Sequence, residues 1–182
     1  MSFGKVVPVK GLVGSFPGHV SRLGPLNITA RQVLPTTPNP IQFGQAVVIN
    51  PATNTYQSVA DFINGGGTMT SALFAGIAVE EVKTTGSYPY SANGTTGAYL
   101  PGDQAEVLNF GTISVAVNVG TPQSQGAVYV RTSANGANTI IGGIEATADA
   151  GHQVTLTGVV FSSGVLDSNN GAEITLLNRV AA

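Results

Sequence analysis

Glycine and proline interrupt this chain too often for a helix of ordinary length, and the runs between them are short and β-branched. The 182 residues include 24 glycines and 10 prolines. Proline removes a backbone donor and fixes φ, and it drives the residue before it into extended geometry. Six prolines, at 8, 17, 25, 35, 38 and 40, fall in the first 40 residues, with Gly4, Gly11, Gly14, Gly18 and Gly24 between them. Residues 1–40 therefore read as an extended arm in which neither a helix nor a central strand is expected. The arm is not a usual disordered tail, because Val6, Val7, Val9, Leu12, Val13, Phe16, Leu23, Leu26, Ile28, Val33 and Leu34 are apolar. Such a segment needs a surface to lie on: its own body, a sister subunit or a partner.

From Ile41 the pattern becomes strands and turns. Residues 45–49 end at Asn50-Pro51, and 73–82 alternate with Ala75, Ile77 and Val79 on one face. Residues 104–108 and 112–119 read as a hairpin around Asn109-Phe110-Gly111. Its second arm places Ile113, Val115, Val117 and Val119 inward and Thr112, Ser114, Ala116 and Asn118 outward. Further strands are expected at 127–131, before the Asn135-Gly136 turn signal, and at 140–145, 154–161 and 172–177. Gly158 suggests a bulge. One short helix fits, capped by Ser58 and stopped by Gly65. The segments 64–68 and 84–98 read as Gly/Ser/Thr-rich loops, the second carrying Tyr88 and Tyr90. A faint echo links Gly44–Val48 with Gly126–Val130, and Gly76-Ile77 with Gly143-Ile144. The fold class is all-β, a small barrel or sandwich (SH3-like barrel or jelly roll), with an arm at 1–40 and a body at 41–182.

Charge is scarce. Charged residues make up 9% of the chain, where about 25% is usual. A surface so poor in charge does little to keep copies apart, which favours large permanent interfaces. Residues 1–60 hold Lys5, Lys10, Arg22 and Arg31 and no acid, whereas the rest holds nine acids against Lys83, Arg131 and Arg179, a +4 front and a −6 body. The net charge of −2 argues against a general nucleic-acid binder. The absence of cysteine excludes disulfides and thiolate chemistry. No signal peptide is read at the start, and no apolar run approaches the ~20 residues of a membrane span.

The chemistry-bearing patterns are weak. His19 and His152 lack metal-ligand spacing, and Asp149 with His152 has no serine in a nucleophile-elbow context. Glu80 and Glu81 are adjacent and so point to opposite faces of a strand. Gly65-Gly66-Gly67-Thr68 lacks the lysine of a phosphate loop. Asp167–Gly171 lacks the closing glutamate of a calcium loop and reads as a β-turn. No catalytic residue, metal site or cofactor is expected.

Several segments, in this order and spacing, resemble the structural cement, or capsid decoration, proteins of tailed bacteriophages. They are Phe43–Asn54, Ser58–Phe62, Leu73–Ala78, Pro101-Gly102-Asp103 with 104–117, Gly126–Arg131 and 172–177. The likeness covers most of 41–182. It implies a β-rich body bound as an oligomer to the outer face of an icosahedral shell, with the major capsid protein and further copies of itself as partners, and no catalytic residues. On that view the protein is made in the host cytoplasm and ends in the virion; the charge-poor surface and outward apolar residues separately favour a homo-oligomer, a trimer in preference to a dimer. Tyr129 and Leu177 are outward apolar candidates, and Lys5, Lys10, Phe16, Arg22 and Arg31 are candidate contacts to the shell or a sister subunit. Deleting residues 2–36 is expected to leave a folded body. The alternatives are a tail or spike module, or a carbohydrate-binding sandwich; the latter is disfavoured because there is no tryptophan platform.

Overall fold

A computed structural model describes residues 16–22, 24–80, 97–167 and 169–177. Among them run β1 (Asn27–Gln32), β2 (Ile41–Gln42), β3 (Ala46–Asn50), β4 (Thr55–Ser58), a helix α1 (Val59–Asn64) and β5 (Phe74–Ala78). After these come β6 (Ala98–Tyr99), β7 (Gln104–Val119), β8 (Ala127–Arg131), β9 (Ile144–Glu145), β10 (Gln153–Phe161) and β11 (Gly171–Leu176). Among the described residues the fold is all-β with one short α-helix and a single 3-10 turn at Ser71–Leu73. The helix is built as its sequence predicts: Ser58 Oγ accepts the Asp61 N–H at 3.1 Å, and the Gly65 N–H closes the other end on the Asp61 carbonyl at 2.9 Å.

The topology is organised by β7. Its C-terminal half pairs with β11 on one side and β9 on the other, and the path β7-β9-β8-β10-β11 returns to β7 as a closed ring. Its N-terminal half pairs with β1 and β5, and the path β7-β5-β3-β4 closes back on β1 through a bridge between Val33 and Tyr56. Two small barrel-like rings thus share one strand. Closure of this kind leaves few unpaired strand edges to recruit another chain. Two apolar clusters fill the interior. Ile113, Val115, Val128, Val130, Leu156, Phe161 and Ile174 belong to the larger, and Val33, Val47, Tyr56, Ala75, Tyr99 and Val107 to the smaller. The larger also takes Ala46, Val48, Phe74, Ile77 and Leu108 from strands of the second ring.

The shared strand replaces the expected hairpin at 109–111. The Asn-Phe-Gly signal makes no turn because the residues on either side have different partners: β1 ends opposite Phe110, and β11 ends opposite Gly111. Gly111, at φ 126°, lets the strand change direction where the partner changes, and a Cβ there would lie 3.2 Å from Leu26 Cβ. Asn109 is buried mid-strand and donates Nδ2–H to Thr29 Oγ1 at 3.3 Å, so its polarity is met without a loop. Beyond the bend Ile113, Val115 and Val117 are buried as expected, while Val119 is half-exposed. Ser114, expected outward, is covered by residues 18–21: the Gly18 N–H reaches the Ser114 carbonyl at 2.8 Å, and the Ser114 N–H reaches the His19 carbonyl at 2.9 Å.

Two other strands differ from their sequence pattern. In β5 every residue is buried, because it lies between the clusters; a bulge around Gly76 puts Phe74 and Ile77 in one and Ala75 and Ala78 in the other. The expected strand at 140–145 shrinks to β9, since Gly142, at φ 85°, and Gly143 turn the chain back and the Gly143 N–H bonds the Ile140 carbonyl at 3.1 Å. Gly158, at φ 73°, does sit at a register shift in β10. The echoing segments fall on matching pairs, β3–β5 in one ring and β8–β9 in the other, each adjoining β7.

The expected arm is partly sheet. Residues 27–32 form β1, Val33 is fully buried, and its N–H bonds the Asp103 carbonyl at 2.8 Å. Position 40 therefore marks no boundary of the sheet. The prolines bracket the strand, at 25 and 35, instead of entering it. Asn39, between Pro38 and Pro40, donates Nδ2–H to buried Asp61 at 2.6 Å and ties the segment to α1.

Candidate functional site

The densest polar chemistry lies where β8, β9 and β10 meet. Arg131 and Glu145 are sealed from water, with Arg131 Nε 2.5 Å from Glu145 Oε1 and Nη2 2.8 Å from Oε2. Nη2 also reaches Asp149 Oδ2 at 3.0 Å, and Nη1 donates to the Ser133 carbonyl at 3.2 Å. Gln153 donates Nε2–H to Glu145 and accepts the Asp149 N–H at 2.7 Å. Asn135 Nδ2 lies 3.1 Å from both Asp149 oxygens. The Asn135 bond and then the Arg131 bond hold the Asp149 carboxyl below the usual aspartate range. The Glu145 bond leads the causes that raise the Arg131 guanidinium, and burial opposes it. Buried charges persist only when paired and hydrogen-bonded in this way.

The cluster is not arranged as a nucleophile–base–acid relay. His152 Nδ1 lies 2.8 Å from Ser133 Oγ, but the Asp149 carboxylate is turned to Arg131 and Asn135. A nucleophile–base–acid relay needs the acid on the imidazole. The described residues contain no group of three or more metal-ligating side chains and no helix long and apolar enough to cross a membrane. What the cluster does is fix residues 132–152 against the first ring.

The candidate contact residues that are described have different surroundings. Lys5 and Lys10 lie outside the described residues, as do Glu81, Lys83, Tyr88, Tyr90 and Arg179. Arg22, 61% exposed, pairs with Glu173 at 2.8 Å. Arg31 bonds Asn54 Oδ1 and sets its guanidinium 5.9 Å from the Tyr56 ring centroid. Both arginines therefore contact the chain's own body, and the basic front is partly neutralised within the molecule. Phe16 differs: it is 66% exposed. Of the outward apolar candidates, Tyr129 is half-buried and Leu177 is 52% exposed.

Sequence reasoning missed Ile140 and Phe110, which it assigned to a strand and a turn; they are 54% and 38% exposed. The Gly142-Gly143 pair was the available signal for Ile140, because two consecutive glycines end a strand more readily than they continue one. Ile140 stands on a groove between the rings, lined also by Pro17, Phe43, Gly44, Asn118 and Gly142. Next to it residues 16–21 form a strap. Gly18, at φ 89°, packs so closely that a Cβ would lie 2.8 Å from the Glu80 nitrogen, and a Cβ on Gly44 would lie 2.6 Å from Pro17 Cβ.

The family model described as XM1 gp53 minor capsid protein matches residues 9–176. A solved structure described as "The capsid of Myoviridae Phage XM1" contains a chain with the same fold, at TM-score 0.65 and 20% identity, covering 99% of this chain and 100% of that one. A search of curated proteins finds no match.

Proposed function

The chain belongs to the XM1 gp53 minor capsid protein family and is a phage virion component, and from that premise we propose that it binds the outer surface of the capsid and stabilises the shell by bridging major capsid subunits. Its work on this reading is structural and not enzymatic. The observation that supports it best is the pair of closed rings that still presents large apolar side chains to solvent, among them Phe16, Ile140 and Leu177. Closed rings resist sheet-to-sheet aggregation, so the exposed apolar residues are free to serve a specific contact. The scarcity of charge has the same sense. Among the described residues Arg131, Glu145 and Asp61 are buried and Arg22 is paired with Glu173, which thins further the charge that can face a partner.

Partners on this reading are the major capsid protein and other copies of this chain, a trimer being preferred over a dimer. The test is to add purified protein to undecorated capsids and image them by electron microscopy. Regular density on the outside of the head, bridging neighbouring capsomers, is the expected result. Absence of head density, with label on the tail instead, overturns it.

A further inference from the structure

We infer that Asn170 is a self-modifying residue: the Asp167 carboxylate, held over the Gly171 nitrogen, drives ring closure of Asn170 onto that nitrogen and its slow conversion to aspartate and isoaspartate. The site is the turn ahead of β11, and its chemistry does not depend on how the protein meets the shell.

Asn-Gly is the pair in which an asparagine carboxamide closes most readily on the following backbone nitrogen, because glycine carries no side chain to hinder the ring. The chain has such pairs at Asn64, Asn93, Asn135 and Asn170, and all but the second lie among the described residues. The structure separates these three. At Asn64 the Gly65 N–H is fixed at 2.9 Å on the Asp61 carbonyl, which stops α1 and cannot take the proton. At Asn135 the carboxamide itself is tied, its Nδ2 lying 3.1 Å from both oxygens of Asp149. That anion opposes the negative charge which builds on the carboxamide oxygen as the nitrogen attacks. Asn170 has neither restraint. It is exposed, stands at φ 59°, and its carboxamide makes no hydrogen bond to the described residues.

The Gly171 N–H points instead at a carboxylate. It donates to Asp167 Oδ1 at 2.6 Å, within reach for general-base removal of that proton. Oδ1 also accepts the Asn169 N–H at 2.8 Å, and the Asp167 N–H bonds the Gly171 carbonyl at 2.9 Å, so the carboxylate is locked over the turn. Its Oδ2 is buried with no hydrogen-bond partner among the described residues, and a Cβ on Gly171 would lie 2.7 Å from it. Glycine at 171 is therefore dictated by the carboxylate packed on it. In the reaction a bond forms between Gly171 N and Asn170 Cγ, and the Cγ–Nδ2 bond breaks. The Gly171 proton passes to Asp167 and then leaves with Nδ2 as ammonia. Water opens the cyclic imide at either carbonyl, giving aspartate or isoaspartate. Isoaspartate adds a methylene to the backbone where the Asn170 carbonyl accepts the Val117 N–H at 2.8 Å and Gly171 pairs with Ala116 at the start of β11. Since β11 closes the first ring, the product loosens that ring. A virion component is not replaced after assembly, so the change accumulates with the age of the particle.

Full-length protein is incubated near neutral pH, folded and in denaturant, and each Asn-Gly peptide is followed by mass spectrometry, with an isoaspartyl methyltransferase counting isoaspartate. Denatured chains should convert at Asn64, Asn135 and Asn170 at similar rates. Folded protein should convert at Asn170 at least tenfold faster than at Asn64 or Asn135, and hydrogen exchange at Val117 should quicken as it does so. Asp167→Asn keeps an oxygen for the two N–H groups but removes the base, and should slow conversion at Asn170 at least fivefold. Folded wild-type protein that converts no faster at Asn170 than at the other two sites overturns the inference, whether or not the variant folds. So does an unchanged or faster rate in folded Asp167→Asn, which would mean that the carboxylate only shields the Gly171 N–H.

Discussion

Arg131 and Glu145 meet as a two-point ion pair, Nε to Oε1 at 2.5 Å and Nη2 to Oε2 at 2.8 Å, with neither side chain open to water. In a chain with seven basic residues this places one of them where it can touch no partner. The pair joins β8 to β9 and, through Asp149, reaches the loop that leads into β10. Removing one member strands the other in a dry site, which costs about 3–5 kcal/mol. Arg131→Ala is therefore expected to lower unfolding free energy by that order in a urea titration. Arg131→Met with Glu145→Leu should cost much less, since no buried charge is left unpaired. Equal losses in the single and double variants would show that packing, and not charge, sets the cost.

Asp149 makes the same cluster sensitive to acid. Its folded carboxyl is lowered, chiefly by the Asn135 bond and next by the Arg131 bond. A group lowered on folding contributes stability above its unfolded value and loses it as pH falls through the folded one. Asn135→Ala removes the leading cause, so its melting temperature should lie below wild type near neutral pH. The gap should close as pH drops below 3.8, the ordinary aspartate value. Melting curves across pH 2–7 measure this directly, and a gap constant with pH would mean Asn135 acts through the loop alone.

Gly76 lies where β5 bulges between the two cores. Its φ is 143°, and a Cβ would fall 2.1 Å from the Leu108 carbonyl oxygen and 2.8 Å from Val107 Cγ1. Overpacking costs about 1–3 kcal/mol, and holding a non-glycine residue in a rare backbone region costs about 1–3 kcal/mol more. Gly76→Ala should therefore destabilise by several kcal/mol and loosen β5 from β7. Hydrogen exchange at Ile77 and Leu108 would show the loosening; unchanged protection there would contradict it.

Short-range chemistry was legible in the sequence and partner choice was not. The Ser58 cap, the Gly65 stop, the 127–131 strand and the Gly158 bulge depend on neighbours within a few residues, and the structure has each of them. The hairpin expected at 109–111 failed because a Gly-containing signal fits both a turn and a strand that changes partners. What decides is β1 and β11, which lie far away in the chain. The Arg131 cluster was invisible for a similar reason: Asp149 and His152 suggest a solvated loop until β8 brings Arg131 between Glu145 and Asp149. Of the exposed apolar side chains, Phe16 was legible as an apolar residue in an extended segment. Ile140 was hidden inside an apolar run.

The front segment gives the last prediction, and the structure changes its form. Removing residues 2–36 would take away β1, which pairs with β7 from Asn27 to Gln32, and Val33, which is fully buried. It would also remove the Leu34 N–H bond to the Tyr56 carbonyl at 2.9 Å and the Gly18 bond to Ser114 at 2.8 Å, so the second ring would open and the strap over β7 would be lost. An opened ring exposes the β7 edge, a template for aggregation. That truncation should be insoluble or unfolded. Removing only residues 2–15 takes away none of the described strands or the strap, and should leave circular dichroism and melting close to wild type. Its effect should appear in capsid binding, because it removes Lys5, Lys10 and the apolar Val6, Val7, Val9, Leu12 and Val13. Each exposed charge contact is worth at most about 1 kcal/mol, whereas apolar burial yields about 25 cal/mol per Å². Lys5→Glu with Lys10→Glu should therefore weaken binding less than the 2–15 deletion does. A sedimentation assay on capsids ranks the three proteins. A 2–15 deletion that binds as tightly as wild type would show that residues 2–15 carry none of the capsid contact, and a soluble, folded 2–36 deletion would show that β1 is dispensable to the second ring.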